Sequence, residues 1–187
     1  MTAIHGHETT AMLEAYDFSA MHLLADIGGG NGSLIGAVLQ RYPKLKGLLF
    51  DLGHVVGRTR ESLKAYGVDD RCSVIEGNFF ESVPSGADTY LFRHIIHDWT
   101  DEQSVQILNN CRKVIPNNRR LLIIEAVVPT GNKPSLAKDF DMVMLIFPGG
   151  IERTEEEHSF LLEQAGFQLS SITPTASVIS VVEGKPI

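Results

Sequence analysis

Cysteine is scarce in this chain of 187 residues: Cys72 and Cys111 are the only two. They stand far apart and show no metal-ligand spacing, which argues against a disulfide-stapled scaffold or a cysteine-held metal. Both read as buried apolar residues in a reducing compartment. A basic excess is also missing. Against 23 Asp and Glu there are 16 Lys and Arg, a formal net charge of −7, the wrong sign for broad attraction to nucleic acid or anionic lipid. No apolar run approaches the ~20 residues that cross a bilayer. The amino-terminal stretch has no basic segment followed by an apolar one, so no signal peptide is expected and a cytoplasmic location is. Repeats and low-complexity linkers are absent too. What is present is 43% hydrophobic and 21% charged residues, the balance of one globular domain with a real core over residues 1–187.

Short apolar runs alternate with amphipathic stretches. The runs are Leu23–Ile27, Leu48–Phe50, Cys72–Ile75, Thr89–Phe92 and Leu121–Ile124. Several are apolar at consecutive positions, the mark of parallel strands covered on both faces. Between them, Thr100 with Gln103 and Thr154 with Glu157 form capping-box patterns. Val105, Leu108 and Ile115 follow the first; Phe160, Leu161 and Ala165 follow the second, with Gly166 at a carboxyl-terminal cap. Phe167–Pro174 and Val178–Glu183 read as two strands with no helix between them, pairing antiparallel at one edge. The expectation is an open α/β sheet with helices on both faces.

In such sheets ligands bind outside the carboxyl ends of the strands, so the residues that follow each run are informative. They are Asp26-Ile27-Gly28-Gly29-Gly30-Asn31-Gly32, then Asp51, then Gly77-Asn78-Phe79-Phe80, then Arg93-His94-Ile95-Ile96-His97-Asp98-Trp99, then Glu125. Five strand ends thus deliver polar groups to one rim. The glycine turn admits close backbone approach, and the helix behind it offers unpaired N–H groups. Asp51 lies at the spacing for an acidic residue on ribose hydroxyls. Together these indicate an adenosine-containing cofactor. A dinucleotide fingerprint would place Gly or Ala where Ser33 stands, which weakens a nicotinamide reading without removing it.

His97 suits a general base, since imidazole titrates near neutrality; its alternative is a capping or core histidine. Asp98 adjoins it, and Glu125 is a candidate to orient the ring. His94 and His97 lack further partners at metal-ligand spacing, and His5-Gly6-His7-Glu8 fails the same test and reads as a solvated helix start. No metal is expected. Trp99, Phe79 and Phe80 are either core or walls of the site. Met142 and Met144 precede Phe147-Pro148-Gly149-Gly150, a loop placed either to close over the site or simply to pack, and Glu152 reads as a charge in the first turn of the next helix.

Taken together, the glycine turn, Phe50-Asp51-Leu52, Gly77-Asn78-Phe79-Phe80, His94-Ile95-Ile96-His97-Asp98-Trp99 and Gly149-Gly150-Ile151-Glu152-Arg153-Thr154 resemble the S-adenosylmethionine-dependent small-molecule O-methyltransferases. That family includes the plant caffeic acid and animal acetylserotonin enzymes, and the similarity runs from about residue 10 to the carboxyl terminus. The resemblance implies a Rossmann-like class I methyltransferase fold, with a mostly parallel seven-stranded sheet and an antiparallel edge hairpin. It implies a cofactor site of Asp26, Gly28, Gly30, Asp51, Asn78, Phe79 and Arg93. His97 matches the general base, Glu125 and Glu152 the acidic residues flanking it, and Asp98 and Met144 substrate-facing positions. A small-molecule hydroxyl, phenolic in the family, would be the methyl acceptor. Asn78 replaces the usual Asp and keeps an acceptor oxygen without the charge. Family members also carry an amino-terminal helical domain that makes a homodimer and walls the substrate pocket, and this chain starts after it. The alternative reading is therefore a cofactor-binding module without activity.

Overall fold

Each apolar run becomes a strand, and those inside the sheet are buried from two sides, whereas Cys72–Ile75 forms an edge strand with Ile75 exposed. The computed structural model describes residues 2–146 and 150–187, with side chains from residue 6 onward. Strands β1 (Leu23–Ile27), β2 (Lys46–Asp51), β3 (Cys72–Glu76), β4 (Thr89–Arg93) and β5 (Arg120–Val128) are mutually parallel. Alternate residues serve opposite faces. Ala25, Phe50, Phe92 and Ile123 lie in one core cluster; Leu24, Leu49, Leu91 and Leu122 lie in the other. Helices α1 (Thr2–Ala15), α2 (Ser33–Arg41) and α3 (Thr59–Tyr66) cover the second face through Met12, Ile35 and Leu63. Helices α4 (Asp101–Arg112) and α6 (Glu155–Gln164) cover the first through Ile107, Leu108, Leu161 and Leu162. Helix α5 (Leu136–Ile146) lies along β5.

Both capping boxes form, Thr100 with Gln103 on α4 and Thr154 with Glu157 on α6. Gly166 takes the left-handed conformation expected of it, φ +76°. Phe160, however, is exposed, and Leu162 is buried in its stead. Strands β7 (Phe167–Pro174) and β8 (Ile179–Pro186) pair antiparallel, and β8 also runs antiparallel to β5. The order β3-β2-β1-β4-β5-β8-β7 holds the seven expected strands. An eighth, β6 (Arg153–Thr154), pairs with the end of β5 at Val127 and Val128. Two residues, one of them charged, leave no apolar period to read.

The strand order reverses between β1 and β4, where a crevice opens beyond the carboxyl ends. The glycine turn follows β1 and the His97 segment follows β4, so both face this crevice. The reading of His5–Glu8 as a solvated helix start is corrected: α1 begins at Thr2 and these residues lie within it, with Glu8 3% exposed. Cys72 and Cys111 are free and buried, as expected. Among the described residues no helix is long and apolar enough to cross a membrane.

Candidate active site

The turn after β1 is held from the next strand. Gly28 donates its N–H to the Phe50 carbonyl at 2.8 Å, and Gly30 donates to Asp51 Oδ2 at 2.8 Å. The other Asp51 oxygen accepts from Leu52 N at 2.7 Å. Gly28 has φ +73°, and a Cβ there would lie 2.5 Å from the Ile95 side chain; only glycine satisfies both constraints. Asp26, Gly28, Gly30, Arg93 and His94 line a cavity of about 230 Å³. Asp26 is buried beside it, and its Oδ2 has no partner among the described residues. Burial, opposed by Arg93 and reinforced by Asp51, pushes its carboxyl up to about 7. A buried acceptor left unmatched is costly, and here the missing partner points to a donor or cation from outside the chain.

Phe79, Phe80 and Trp99 form an aromatic cluster, with Phe80 and Trp99 edge to face at 4.7 Å. Phe79 also borders Gly28. Asn78 turns inward on its own loop: Oδ1 accepts from Phe80 N at 3.0 Å and Nδ2 reaches Glu81 at 3.4 Å.

His97 sits on a single 3₁₀ turn, Ile96–Asp98, and is 7% exposed. Its Nδ1 lies 2.7 Å from Glu152 Oε1. A carboxylate there accepts, so Nδ1 carries the proton and the neutral ring keeps its lone pair on Nε2. Asp98 Oδ1 stands 3.7 Å from Nε2. Burial works against a charged ring, but the bond to Glu152 and the charges of Glu125, Glu152 and Asp98 outweigh it and raise His97 to about 8.

The ring-orienting part suggested for Glu125 falls to Glu152. Glu125 does not touch the His97 ring; its Oε1 accepts the N–H groups of Ile95 and His97, each at 3.1 Å. It shapes the turn, and Glu152 orients the ring. Glu152 is no solvated charge, being 4% exposed, with its own N–H bonded to Asp141 Oδ1 at 3.0 Å. Met144 is buried on α5, and its carbonyl accepts from Gly150 N at 3.1 Å. Of the loop expected to close over the site, Phe147, Pro148 and Gly149 lie outside the described residues.

Glu8 escaped the sequence reading. Its Oε2 is 3.0 Å from both Arg93 Nη2 and His94 Nε2, and Thr9 Oγ1 accepts from Arg93 Nη1 at 2.9 Å. Nothing local signals this, because the partners lie 85 and 86 residues away. His94 alone among the described non-glycine residues has positive φ, +53°, which sets its ring 5.2 Å from that of His97. Among the described residues no three His, Cys, Asp or Glu side chains converge as a metal site.

The chain as a whole is similar to known proteins. The chain is 42% identical over 177 residues to the phenazine O-methyltransferase of Lysobacter antibioticus, covering 95% of this chain and 52% of that protein. It is 37% identical over 172 residues to the caffeic acid 3-O-methyltransferase of Medicago sativa, covering 87% and 45%. A methyltransferase of calicheamicin biosynthesis, solved with S-adenosylhomocysteine bound, superposes with a TM-score of 0.93 at 41% identity over 100% of this chain and 55% of that one. The chain therefore spans about half the length of these relatives. The family model for the O-methyltransferase domain matches residues 1–168, so the similarity begins earlier than residue 10 and includes the helix that carries Glu8. The chain belongs to the O-methyltransferase domain family.

Proposed function

We propose that the chain transfers a methyl group from S-adenosylmethionine to the hydroxyl of a small aromatic molecule, with His97 as general base. The observation that carries this reading is the 2.7 Å bond between His97 Nδ1 and Glu152, which leaves Nε2 as the basic atom of a buried ring. The cofactor fits the residues present. The unpartnered oxygen of Asp26 suits its ammonium group, the turn at Gly28 and Gly30 admits close approach, and Asp51 offers carboxylate lone pairs to ribose hydroxyls. Asn78, Phe79 and Arg93 complete the set, Phe79 through its apolar ring. When bound, the cofactor supplies a methyl already activated on a sulfonium sulfur.

The protein's share is then alignment and proton removal. His97 Nε2 takes the acceptor's hydroxyl proton as the oxygen forms its bond to the methyl carbon and the carbon–sulfur bond breaks. The products are a methyl ether and S-adenosylhomocysteine. Glu152 holds the imidazolium formed, and Asp98, 3.7 Å from Nε2, adds a favourable charge. Asp98 and Met144 are the proposed acceptor contacts. The phenazine and caffeic acid relatives support an aromatic hydroxyl as acceptor.

Calorimetry with S-adenosylhomocysteine, followed by turnover assays on caffeic acid and a hydroxyphenazine, tests this. His97→Ala is expected to lower transfer by about 10²–10⁴-fold and to leave cofactor affinity unchanged. Unaltered turnover would sink the role of His97, and a folded wild-type chain that binds no S-adenosylhomocysteine would sink the cofactor reading. The coverage of only about half of each relative favours one second reading, a module that binds the cofactor without turnover; saturable binding with no transfer to any acceptor is its signature.

A further inference from the structure

Arg153 carries a deeply buried positive charge near His97, its side chain 1% exposed. Burying a guanidinium is costly unless its donors are matched, and here most of them converge on one turn. Nη1 donates to the Ile96 carbonyl at 3.2 Å and Nη2 to the Trp99 carbonyl at 3.1 Å. Nε and Nη2 both reach Asp101 Oδ1, at 3.0 and 2.8 Å. Ile96 and Trp99 bracket His97 and Asp98. The residues just before Arg153 grip the same turn. Ile151 N donates to the His97 carbonyl at 2.8 Å, and a Cβ at Gly150 would collide with that carbonyl. Glu152 then meets the ring. Four consecutive residues, 150–153, thus hold both the backbone and the side chain of His97.

We propose that Arg153 is a positioning residue for methyl transfer: by tying the carbonyls on either side of His97–Asp98 to the segment that carries Glu152, it fixes the register in which the His97 ring meets that carboxylate. The inference rests on the reading of His97 as the base. An ion pair serving stability alone would need only Asp101, which is 60% exposed; the two main-chain carbonyls give Arg153 its aim. Lysine cannot substitute, because a single ammonium lacks the planar fork that spans both carbonyls and the carboxylate.

The test follows the His97 ring nitrogens by long-range ¹H–¹⁵N spectra against pH, in the 187-residue protein labelled at histidine. The groups facing the ring are Glu152, Glu125, Asp98 and His94. Wild type is expected to hold its neutral-form proton on Nδ1 and to titrate near 8. In Arg153→Lys both tautomers should appear and the midpoint should fall toward the ordinary 6.5, as in Glu152→Gln. Asp101→Asn, which loosens the outer hold while sparing the carbonyl bonds, should shift it the same way by less. A folded Arg153→Lys with unaltered tautomer and midpoint overturns the proposal; if that variant does not fold, an unaltered Asp101→Asn does so. S-adenosylhomocysteine affinity is measured alongside. Wild-type protein that fails to bind it, while His97 still responds to Arg153, would count against the cofactor reading and support the positioning role.

Discussion

At the scale of single residues, two buried groups make the folded state favour protonation, one as a neutral acid and the other as a cation. Asp26 is pushed up to about 7, chiefly by burial, whereas an unfolded chain ionises Asp near 3.9. The folded state therefore prefers the protonated acid, and stability contributed below the unfolded value is lost as pH rises from about 4 to 7. Asp26→Asn removes that loss. It should stabilise the ligand-free protein at pH 8, on the order of 4 kcal/mol, and weaken S-adenosylhomocysteine binding; calorimetric melting and titration of one sample check both. Greater stability without weaker binding would separate Asp26 from the cofactor. His97 has the same sign, although there it is the charged form that the fold favours. Its folded value, about 8, stands above the ordinary 6.5, so its contribution is full below 6.5 and is lost as pH rises through 8, about 2 kcal/mol in all. A base must be neutral to act, so turnover should rise along a limb centred near 8. Glu152→Gln should move that limb down toward 6.5 and reduce the fall in melting temperature between those pH values, leaving the part that Asp26 contributes. A limb that stays near 8 in Glu152→Gln would mean that another group titrates.

At the scale of elements, α1 is the one whose importance depends on distant partners. Glu8 lies between Arg93 and His94; burial alone would raise it, but bonds to His94 and Arg93 prevail and hold it at about 2. Its stability contribution is present above the ordinary 4.5 and is lost as pH falls toward 2. Glu8→Gln removes the buried carboxylate that Arg93 and His94 share and should cost about 3 kcal/mol near neutrality, a deficit that narrows on acidification below pH 4. Denaturant melts at pH 7 and pH 3 measure it; equal deficits at both would assign the loss to helix packing instead. The same element shows where sequence reading stops. Runs such as Leu121–Ile124 declared their strands because consecutive apolar residues need cover on two faces, and the two capping boxes declared α4 and α6 because their bonds are local. The rim residues Asp26, Asp51, His97 and Glu125 were legible as positions at strand ends. Their partners were not. Glu8 and Arg153 are charged, and a charge in a sequence reads as surface until its counter-group 85 or 52 residues away is known. The same blindness gave Glu125 the ring-orienting part that Glu152 takes, since adjacency in strand order said nothing of which oxygen meets which nitrogen.

At the scale of the whole molecule, α5 joins the site to an apolar exterior. Its Asp141 anchors Glu152 and its Met144 is buried, yet Leu136, Met142, Val143, Leu145 and Ile146 are all exposed, the last at 69%. Exposed apolar side chains on one helix are adhesive where they join into one patch. The formal charge of −7 opposes contact between copies, but only over a Debye length, which salt shortens. The two effects predict a molecule whose self-association grows with ionic strength, the reverse of an assembly held by ion pairs. Sedimentation velocity at about 50 mM and about 500 mM salt should show the weight-average coefficient rising with both salt and protein concentration. Val143→Gln combined with Ile146→Gln leaves the net charge and Asp141 untouched and should flatten that dependence while His97 titrates as before. A wild-type protein that stays monomeric throughout would show that these side chains are too dispersed to act as one surface. Association that weakens with salt would place the contact elsewhere, on charged groups that α5 does not supply.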